Sequence, residues 1–523
     1  MVSDLDNGAG RESRADRPVA HPPAGRLRGT RDGDCLSFRG IPYAEPPLGD
    51  LRFRAPRPAR AWEGVREALD FGAAAPQIVT TDVTESGNNV VNEDCLTLNV
   101  WTPRLYGAPL PVMVWIHGGA LIEGSSRNYW YNGAALALRG DVVVVTLQYR
   151  LGAFGFLYLG EAGGEEFADS GNLGLLDQVA ALRWVRDNIA AFGGDAGNVT
   201  IFGESAGGAS VAMLLGMPAA DGLFHKAVVQ SISPQLGRPA EQSAAVTREF
   251  MRAAGASTVQ ELQSLRAADL IAAQDALFRV TTADNMFWPT IDGHVLHAHA
   301  LTRLHAAAAR VPVLIGTTLD EVRFWTEIED VPLLRKPHAA LSEQLEDIAL
   351  DRHAAVVAAY GLEGEEAEQG RVTLASDLVF RLPSIRLAEA LQGRQPVWMY
   401  LFTYRSTSTL ARYDSAHAME LPFLFGALED PGAVAFTGRA PGRDTLSARM
   451  QDAWTAFARH GAPGPAADWP AYEPATRATM LLDTYSHLEN DPFGAHRAAW
   501  EGVPFDGAAP DDLDVGRLLF SED

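Results

Sequence analysis

Short runs of apolar, mostly β-branched residues recur along the chain and alternate with segments whose apolar residues return at helical spacing. Runs of this length are typical of strands that are buried on both faces of a sheet. They occupy residues 110–116, 141–147, 199–202, 226–230, 311–315 and 397–402. Residues 175–189 instead carry apolar side chains at intervals of three and four, as one face of a helix does. Alternating strands and helices predict an α/β fold with a mostly parallel central sheet flanked by helices.

Two further stretches, residues 239–309 and 332–393, are rich in Ala, Leu and Glu and mostly helical in pattern. We predict that they are cap-like helical insertions over the active site, within a single domain that spans residues 26–523. Residues 1–25 are rich in Arg, Asp, Gly and Pro and show no apolar periodicity, which predicts a disordered tail. Functional loops of such a sheet follow the carboxyl ends of its strands, so the active site is expected there, beneath the cap.

The acidic composition of the chain bears on which binding partners are expected. Lys and Arg number 43 and Asp and Glu number 66, which gives a net charge of −23. Nucleic-acid binding depends mainly on Lys and Arg, so no nucleic-acid partner is expected. The N-terminal residues lack the apolar core of a secretory signal, and no apolar run approaches the length of a membrane span. We therefore predict a cytoplasmic protein with no membrane partner.

The chain has two cysteines, Cys35 and Cys95. Two are too few for a disulfide framework or for a Cys-rich metal site. From the residues alone, one bridge between them and two buried thiols are both open.

A Gly-x-Ser-x-Gly pattern centred on Ser205 follows the apolar run 199–202 directly and precedes a helix-like segment. A serine in a sharp strand-to-helix turn needs small neighbours, because the backbone is approached closely on both sides, and Gly203 and Gly207 leave that room. The N–H of Ala206, at a helix N-terminus, would point towards a developing oxyanion. The pattern also fits a simple glycine-rich loop, but the flanking strand and helix favour a nucleophile.

A second turn of small residues follows the run 110–116, in the sequence His117-Gly-Gly119-Ala120. Backbone N–H groups of such a turn can point inwards without obstruction from side chains. Alone this could be an ordinary turn. Beside Ser205 it is a candidate for the remaining oxyanion donors.

A serine nucleophile needs a general base and a carboxylate that orients the base. Glu321 follows the run 311–315 after a short loop, and His417 lies in a loop beyond the run 397–402. Both are therefore expected at the same sheet edge as Ser205. Spacing alone does not choose between them and the rivals Asp320, Asp414, His294 and His225.

Five blocks in order resemble the type-B carboxylesterase family, which includes cholinesterases and bacterial para-nitrobenzyl esterases. The blocks are residues 93–100, 117–120, 149–152, 192–195 and 202–208, and the resemblance runs from about residue 38 to residue 472. It implies the α/β-hydrolase fold and a serine carboxylesterase that hydrolyses small-molecule esters through an acyl-enzyme, without metal or organic cofactor. By the same resemblance, residues 316–321 end in the triad acid Glu321 and residues 416–426 contain the general base His417.

The resemblance also assigns supporting residues. Gly119, Ala120 and Ala206 become the oxyanion donors, His117 becomes structural, and Glu204 and Ser231 are candidates for roles behind the triad. Ala120 stands where many members have glycine, and Leu121 replaces a common phenylalanine. Ala75 stands where members with a disulfide to the residue matching Cys95 have its partner, so Cys95 is expected to be a buried thiol.

The substrate pocket is the least defined part of the prediction. Candidate lining residues, which would suit an apolar or aromatic ester, are Trp115, Leu121, Phe154, Met286, Phe287, Trp288 and Phe324. Aromatic residues at these positions fit an ordinary core equally well. A dedicated hydrolase of a carbamate, phthalate or toxin ester is an alternative to a broad esterase. A non-catalytic binding protein is a remote one, because Ser205, Glu321 and His417 are all present.

Overall fold

A large central sheet organises the chain, and its strands are listed here with those of two small sheets. The computed structural model describes residues 17–78, 90–232, 237–279, 287–297, 310–328, 331–363 and 367–503. In chain order the strands are β1 Val19–Ala20, β2 Arg26–Arg28, β3 Thr30–Asp32, β4 Cys35–Pro42, β5 Val65–Glu67, β6 Thr97–Thr102, β7 Leu110–Ile116, β8 Val143–Leu147, β9 Gly194–Glu204, β10 Lys226–Gln230, β11 Arg238–Pro239, β12 Thr290–Ile291, β13 Val313–Thr318, β14 Val397–Phe402, β15 Ala478–Leu482 and β16 His487–Asn490.

The central sheet is parallel in its middle and antiparallel at both edges. Its strand order is β16-β15-β14-β13-β10-β9-β7-β8-β6-β4-β3. All neighbouring pairs from β8 across to β15 are parallel. The pairs β3–β4, β4–β6, β6–β8 and β15–β16 are antiparallel. The predicted mostly parallel sheet is confirmed, and three predicted strands, β7, β10 and β14, have the predicted bounds.

Helices cover both faces of this sheet. Along β7, Val112, Val114 and Ile116 belong to one buried apolar cluster, whereas Met113 and Trp115 belong to a second. Because successive side chains of a strand point to opposite faces, the two clusters lie on opposite sides of the sheet. The longer α-helices of the described residues are Ala134–Gly140, Gly152–Phe156, Leu173–Asn188, Ala206–Gly216, Ala240–Ala253, Val259–Ser264, Ala267–Phe278, Arg323–Ile328, His338–Ala349, His353–Tyr360, Glu368–Ser376, Leu382–Ala390, Pro431–Thr437, Arg443–His460 and Gly494–Ala499.

The two predicted helical insertions pack differently. Helices between residues 240 and 278 contribute side chains such as Phe250 and Leu270 to the first cluster of the sheet. Helices between residues 332 and 382 form a third apolar cluster of their own, which includes Leu341 and Leu378 and is closed by Trp500 near the C-terminal end of the described chain. Residues 280–286 and 298–309 of the first insertion lie outside the described residues.

The register of the parallel strands brings several loops to one sheet edge. Ile116 at the end of β7 pairs with Gly203 of β9. Gln230 at the end of β10 pairs with Glu204 on one side and with Gly316 of β13 on the other. The loops that carry Ser205, Ser231 and Glu321 therefore leave the sheet side by side.

The N-terminal region is ordered further upstream than its composition predicts. Val19–Ala20 pairs with Arg26–Arg28, and Ala20 is buried. The prediction of a disordered tail to residue 25 is thus wrong for residues 17–25, because Ala20 and Leu27 find apolar neighbours in the first cluster. Residues 1–16 lie outside the described residues.

Both cysteines, Cys35 and Cys95, are free thiols and both are buried. The possibility of a bridge between them is therefore excluded. Within the described residues, no helix combines the length and the apolar character that a membrane crossing requires.

Candidate active site

Ser205 lies at a strained turn between β9 and the helix Ala206–Gly216. Its φ and ψ are 57° and −126°, a combination that a residue other than glycine adopts only where the surrounding structure imposes it. A Cβ on Gly203 would lie 2.6 Å from the carbonyl carbon of Gly207 and 2.7 Å from the carbonyl oxygen of Ile116. The backbone N–H of Ser205 donates to the carbonyl of Gln230 at 3.0 Å. The turn thus has the tight geometry that the small neighbours in the sequence predict.

His417 and Glu321 form a buried pair. Nδ1 of His417 lies 2.5 Å from Oε2 of Glu321, whose side chain has no exposed surface. The other carboxylate oxygen, Oε1, accepts from the Ser231 hydroxyl at 2.6 Å and from the Thr318 N–H at 2.8 Å. A carboxylate held by three donors is fixed in direction, so it fixes the orientation of the imidazole as well.

The second nitrogen of His417 faces another carboxylate. Nε2 lies 3.0 Å from Oε1 of Glu204. The contact is close enough for an ion pair, but Oε1 is buried and accepts no hydrogen bond from the described residues. Within the described residues, the polar side-chain contacts of His417 are to Glu321 and Glu204, and none is to the Ser205 hydroxyl. The structure therefore brings His417 to the residue next to Ser205 without joining the two by a hydrogen bond.

A third buried acid, Glu420, completes a cluster of carboxylates around His417. Oε1 of Glu420 accepts from the amide of Gln230 at 3.0 Å, and Trp454 Nε1 donates to the oxygen of that amide at 3.2 Å. Sequence reasoning missed Glu420, whose one available signal is its position three residues after His417. Within the described part of the chain, no group of three or more His, Cys, Asp and Glu residues could hold a metal ion.

This environment changes the proton affinities of the cluster. Burial raises the pKa of Glu204 to about 8 and that of Glu420 to about 7. Burial alone would lower the pKa of His417, but the nearby carboxylates of Glu204 and Glu321 outweigh it and raise that pKa to about 9. Negative charge gathered around the imidazole thus favours its protonated form.

The predicted oxyanion turn touches the Ser205 turn. A Cβ on Gly118 would lie 3.0 Å from Cβ of Ser205, and Gly119 and Ala120 both have positive φ, 103° and 50°. Ala206 is the first residue of its helix, so its N–H has no acceptor inside that helix. The three predicted donors are therefore on the two turns that meet at Ser205.

His117 has the surroundings of a structural residue. Its ring stacks on Tyr149 at 4.5 Å between centroids, and the Tyr149 hydroxyl donates to its carbonyl at 2.8 Å. Burial lowers the pKa of His117 to about 4, so the ring is neutral at ordinary pH.

The rivals for the base and the acid have other partners. Asp320 accepts from the amide of Gln369 at 2.9 Å, and Asp414 lies in a group of arginines that includes Arg323. Nδ1 of His225 accepts from the backbone of Val199, and His294 is exposed on a turn. None of these contacts joins a rival to the Ser205 turn.

Aromatic rings surround His417, and two of them were not predicted. The ring centroids of Trp325 and Phe380 lie 4.9 and 4.8 Å from that of the imidazole, and Phe324 lies at 6.4 Å. Trp325 could have been suspected from its place four residues after Glu321. Phe380 carries no such signal.

Of the predicted pocket residues, the structure places Phe324 beside His417. Several of the others are core residues: Trp115 packs on Tyr131 and Phe202, Phe287 packs on Phe250 and Phe278, and Leu121 has no exposed surface. Trp115 belongs to the second apolar cluster, and Leu121 and Phe287 belong to the first. Phe154 stacks on Phe53, and Trp288 is half-buried against the first cluster. Met286 lies outside the described residues.

The comparisons with known proteins all indicate the same family. A sequence model of the carboxylesterase family matches residues 16–500. The para-nitrobenzyl esterase of Bacillus subtilis (strain 168) is 41% identical over 90% of this chain and 95% of its own length. The phenmedipham hydrolase of Pseudarthrobacter oxydans is 34% identical over 89% of this chain and 95% of its own length. The crystal structure of the Geobacillus stearothermophilus carboxylesterase EST55 at pH 6.2 superposes with a TM-score of 0.83, at 40% identity, over 93% of this chain and 100% of that one.

Proposed function

This chain belongs to the carboxylesterase family and is a carboxylic ester hydrolase of the α/β-hydrolase fold, and on that premise we propose that Ser205, His417 and Glu321 are its catalytic triad. The observation that carries the proposal is the buried contact of 2.5 Å between His417 Nδ1 and Glu321 Oε2, at the sheet edge where the strained Ser205 turn also lies. A base that is oriented by a carboxylate is what a serine hydroxyl needs to become a nucleophile.

In the proposed mechanism, His417 takes the proton of Ser205 as the hydroxyl attacks the ester carbonyl. The imidazole must then leave Glu204 and bond to Ser205, a contact that commonly tightens only when substrate is bound. Glu321 keeps the proton on Nδ1 and stabilises the imidazolium. His417 next protonates the leaving alcohol, and water releases the acyl group through the same base.

Backbone donors stabilise the oxyanion in this proposal. The N–H groups of Gly119, Ala120 and Ala206 surround the place where the carbonyl oxygen becomes negative. Each such donor contributes about 3 kcal/mol to lowering the barrier in comparable acyl-transfer sites.

The triad is tested by replacing Ser205 with Ala and measuring hydrolysis of a para-nitrophenyl ester. We expect kcat to fall at least about a thousandfold, since the members of a triad act as a unit. His417→Ala should give a similar loss, whereas Ser264→Ala, at an exposed serine, should leave the rate unchanged. Labelling of the native protein by an organophosphonate should modify the peptide that contains Ser205. Wild-type turnover by Ser205→Ala would end the proposal.

We also propose a preference for apolar or aromatic esters. The ring of Phe324 lies beside His417, at 6.4 Å between centroids, and would offer apolar surface to a bound acyl or alcohol group. The name of one relative, para-nitrobenzyl esterase, is consistent with an aromatic substrate. A matched panel of benzoyl, butyryl and succinyl para-nitrophenyl esters should give the lowest kcat/KM for the charged succinyl ester. A higher value for that ester would contradict this preference.

A cytoplasmic location is the last part of the proposal. Cys35 and Cys95 are both free, and burial raises the pKa of the Cys35 thiol to about 12. Two reduced thiols suit a reducing compartment. Fractionation of cells of the source organism should recover the esterase with cytoplasmic markers, and recovery from the medium would contradict the proposal.

A further inference from the structure

The rings of Trp325 and Phe380 meet the imidazole of His417 in a compact triangle, which we call the aromatic corner. The distances between ring centroids are 4.9 Å for Trp325 and His417, 4.8 Å for Phe380 and His417, and 5.9 Å for the two aromatic rings. Both rings are therefore within the range in which an aromatic ring attracts a cation. The two nitrogens of the imidazole are directed at carboxylates, so the corner contacts the remaining surface of the ring.

Phe380 reaches this position through an unusual turn of helix. Residues Asp377–Arg381 form a π-helical turn between the helices Glu368–Ser376 and Leu382–Ala390, and the N–H of Leu382 bonds to the carbonyl of Asp377, five residues back. Pro383 follows directly. It has no N–H to give to a carbonyl four residues back, and its ring would clash there, so the regular α register is disfavoured at this point. Such single turns are frequent at functional sites.

A buried ion pair within the turn connects it to neighbouring elements. Asp377 accepts from Arg381 Nε at 2.6 Å and Nη2 at 2.7 Å, and from the Tyr360 hydroxyl at 2.7 Å. Arg381 also donates to the carbonyl of Pro492 at 3.1 Å. The turn is thus tied both to the helix His353–Tyr360 and to the C-terminal segment.

The same helical segment also touches the loop of the triad acid. The backbone N–H of Val322, next to Glu321, donates to the Ser376 hydroxyl at 3.1 Å. Ser376 immediately precedes the π-helical turn. One continuous segment therefore contacts both the histidine and the loop that carries its carboxylate.

We propose that the π-helical turn Asp377–Arg381 is a brace for the catalytic base, and that Phe380, as a positioning residue, acts with Trp325 to hold His417 and to stabilise its imidazolium. The proposal rests on the role of His417 proposed above. When His417 takes the serine proton it becomes a cation, and the electron-rich ring faces favour that state over the neutral one. The aromatic corner therefore contributes most in the transition state, which raises kcat more than it lowers KM.

Carboxylates, and not the aromatic corner alone, set the charge of His417. Glu204, Glu321 and Glu420 all raise its pKa, and each comes from a different element: the end of β9, the loop after β13 and the loop after His417 itself. The hydroxyl of Tyr400 on β14 lies near the same three carboxylates. In the same π-helical turn as Phe380, the charges of Asp377 and Arg381 are paired with each other, and His496 Nδ1 lies 3.4 Å from Asp377 Oδ2. Because Glu204 and Glu420, with pKa values of about 8 and about 7, titrate in the same pH range, the effect of the ring is measured as the difference between the profiles of the variant and the wild type, which both contain these carboxylates.

The test is Phe380→Leu, which removes the aromatic face and keeps an apolar side chain. At pH values above the acidic limb, where the base is neutral, we expect kcat on a para-nitrophenyl ester to fall about fivefold with KM changed less than twofold. An imidazolium that has lost a favourable neighbour has a lower pKa, so the acidic limb of the kcat/KM profile should move down by about 0.5 unit. Phe380→Tyr, which keeps the ring, should restore both quantities, and Trp325→Leu should shift them in the same direction as Phe380→Leu.

Phe192→Leu is the matched control, because Phe192 is equally buried and packs on Phe38 and Trp184 away from the site. It should leave the pH profile unchanged. The proposal is overturned if Phe380→Leu changes only KM, as a pocket wall would, or if its profile matches that of the wild type. His417→Ala distinguishes failure of the proposed triad from failure of the proposed brace. Activity in His417→Ala would contradict the triad. An inactive His417→Ala together with unchanged kcat and pH profile in Phe380→Leu would contradict only the role of Phe380.

Discussion

Among single residues, the carboxylate of Glu204 has a decisive position, because it lies beside both Ser205 and His417. It approaches Nε2, the nitrogen that receives the serine proton in the proposed mechanism, to 3.0 Å. Its negative charge favours the imidazolium, while a neutral imidazole is what can act as a base. Glu204 therefore stabilises the charge that forms during reaction and lowers the fraction of free enzyme that is ready to react.

Replacement of Glu204 by Gln should move the acidic limb of the kcat/KM profile to lower pH. A nearby carboxylate raises the pKa of His417, and its removal lowers that pKa, by about one unit for a contact of this length. The limb reports the ionisation of the base in the free enzyme, so it follows the pKa of His417. Stopped assays from about pH 6 to about pH 10 measure the shift, because they cover the His417 pKa of about 9 in the wild type and the lower value expected in the variant.

Glu161→Gln is the control for this experiment. Glu161 is exposed, and its ion pair is with Arg248 at the surface and not with any residue of the carboxylate cluster. Its profile should coincide with that of the wild type. A limb that stays in place, or moves to higher pH, in Glu204→Gln would show that Glu204 does not raise the proton affinity of the base.

The residues of the candidate site differ in how well the sequence predicts them. Ser205 is marked by its own neighbours, because a strained turn requires the glycines on either side. Glu321 and Asp320 are adjacent, so spacing cannot choose between them, and only the direction of each side chain decides which one meets His417. Phe380 is beyond prediction from local pattern, because a π-helical turn changes which residues of a helix share a face.

On the scale of elements, the turn between β9 and the helix Ala206–Gly216 depends on close contact between backbones. The turn brings Gly207 against the end of β7, where a Cβ would collide with the carbonyl oxygen of Ile116 and lie 2.8 Å from that of His117. Backbone atoms cannot move aside as a flexible side chain can. The position of Ser205, the proposed nucleophile, is therefore set by the two strands and the helix together.

Gly207→Ala should displace the Ser205 turn and lower kcat/KM about 100-fold, the effect expected when a reacting group moves by an ångström. Gly464→Ala is the matched substitution, because a Cβ at Gly464 meets no atom within 4 Å. It should leave activity unchanged. Steady-state hydrolysis of a para-nitrophenyl ester by both variants is the measurement, and wild-type activity in Gly207→Ala would show that the turn can relax.

The elements that could be predicted are those with a strong apolar signal. β7, β10 and β14 are buried at every position and read directly as apolar runs. The edge strands β3 and β16 were missed, because they are short and largely polar, and β16 is exposed at every position. Such strands are specified by their neighbours in the sheet and not by a pattern of their own.

For the whole molecule, a buried ion pair links the helix Leu173–Asn188 to the loop after β8. Arg150 donates to Asp177 from Nε and from Nη2, each at 2.8 Å, and also from its backbone N–H at 3.0 Å. The side chains are 3% and 0% exposed, so neither charge has water as a substitute partner. Loss of one partner leaves the other charge buried and unpaired.

Asp177→Asn should lower the free energy of unfolding by about 3 kcal/mol, because Arg150 keeps its buried charge. Asp187→Asn on the same helix is the control, since Asp187 pairs with Arg186 at the surface and is 56% exposed. That change should stay within about 0.5 kcal/mol. Urea unfolding followed by tryptophan fluorescence compares the two, and equal midpoints would contradict a stabilising role for the buried pair.

The third apolar cluster has a consequence for recombination between relatives. It joins helices from residues 332–382 to a distant part of the chain, since Trp500 Nε1 donates to the Tyr360 hydroxyl at 3.2 Å and Arg352 donates to the carbonyl of Ala498 at 2.7 Å. A chimera that exchanges residues 332–382 alone would pair foreign helices with the resident C-terminal helix. Exchange of both segments together keeps the cluster intact, so crossover points for hybrid esterases belong in pairs, on either side of each segment.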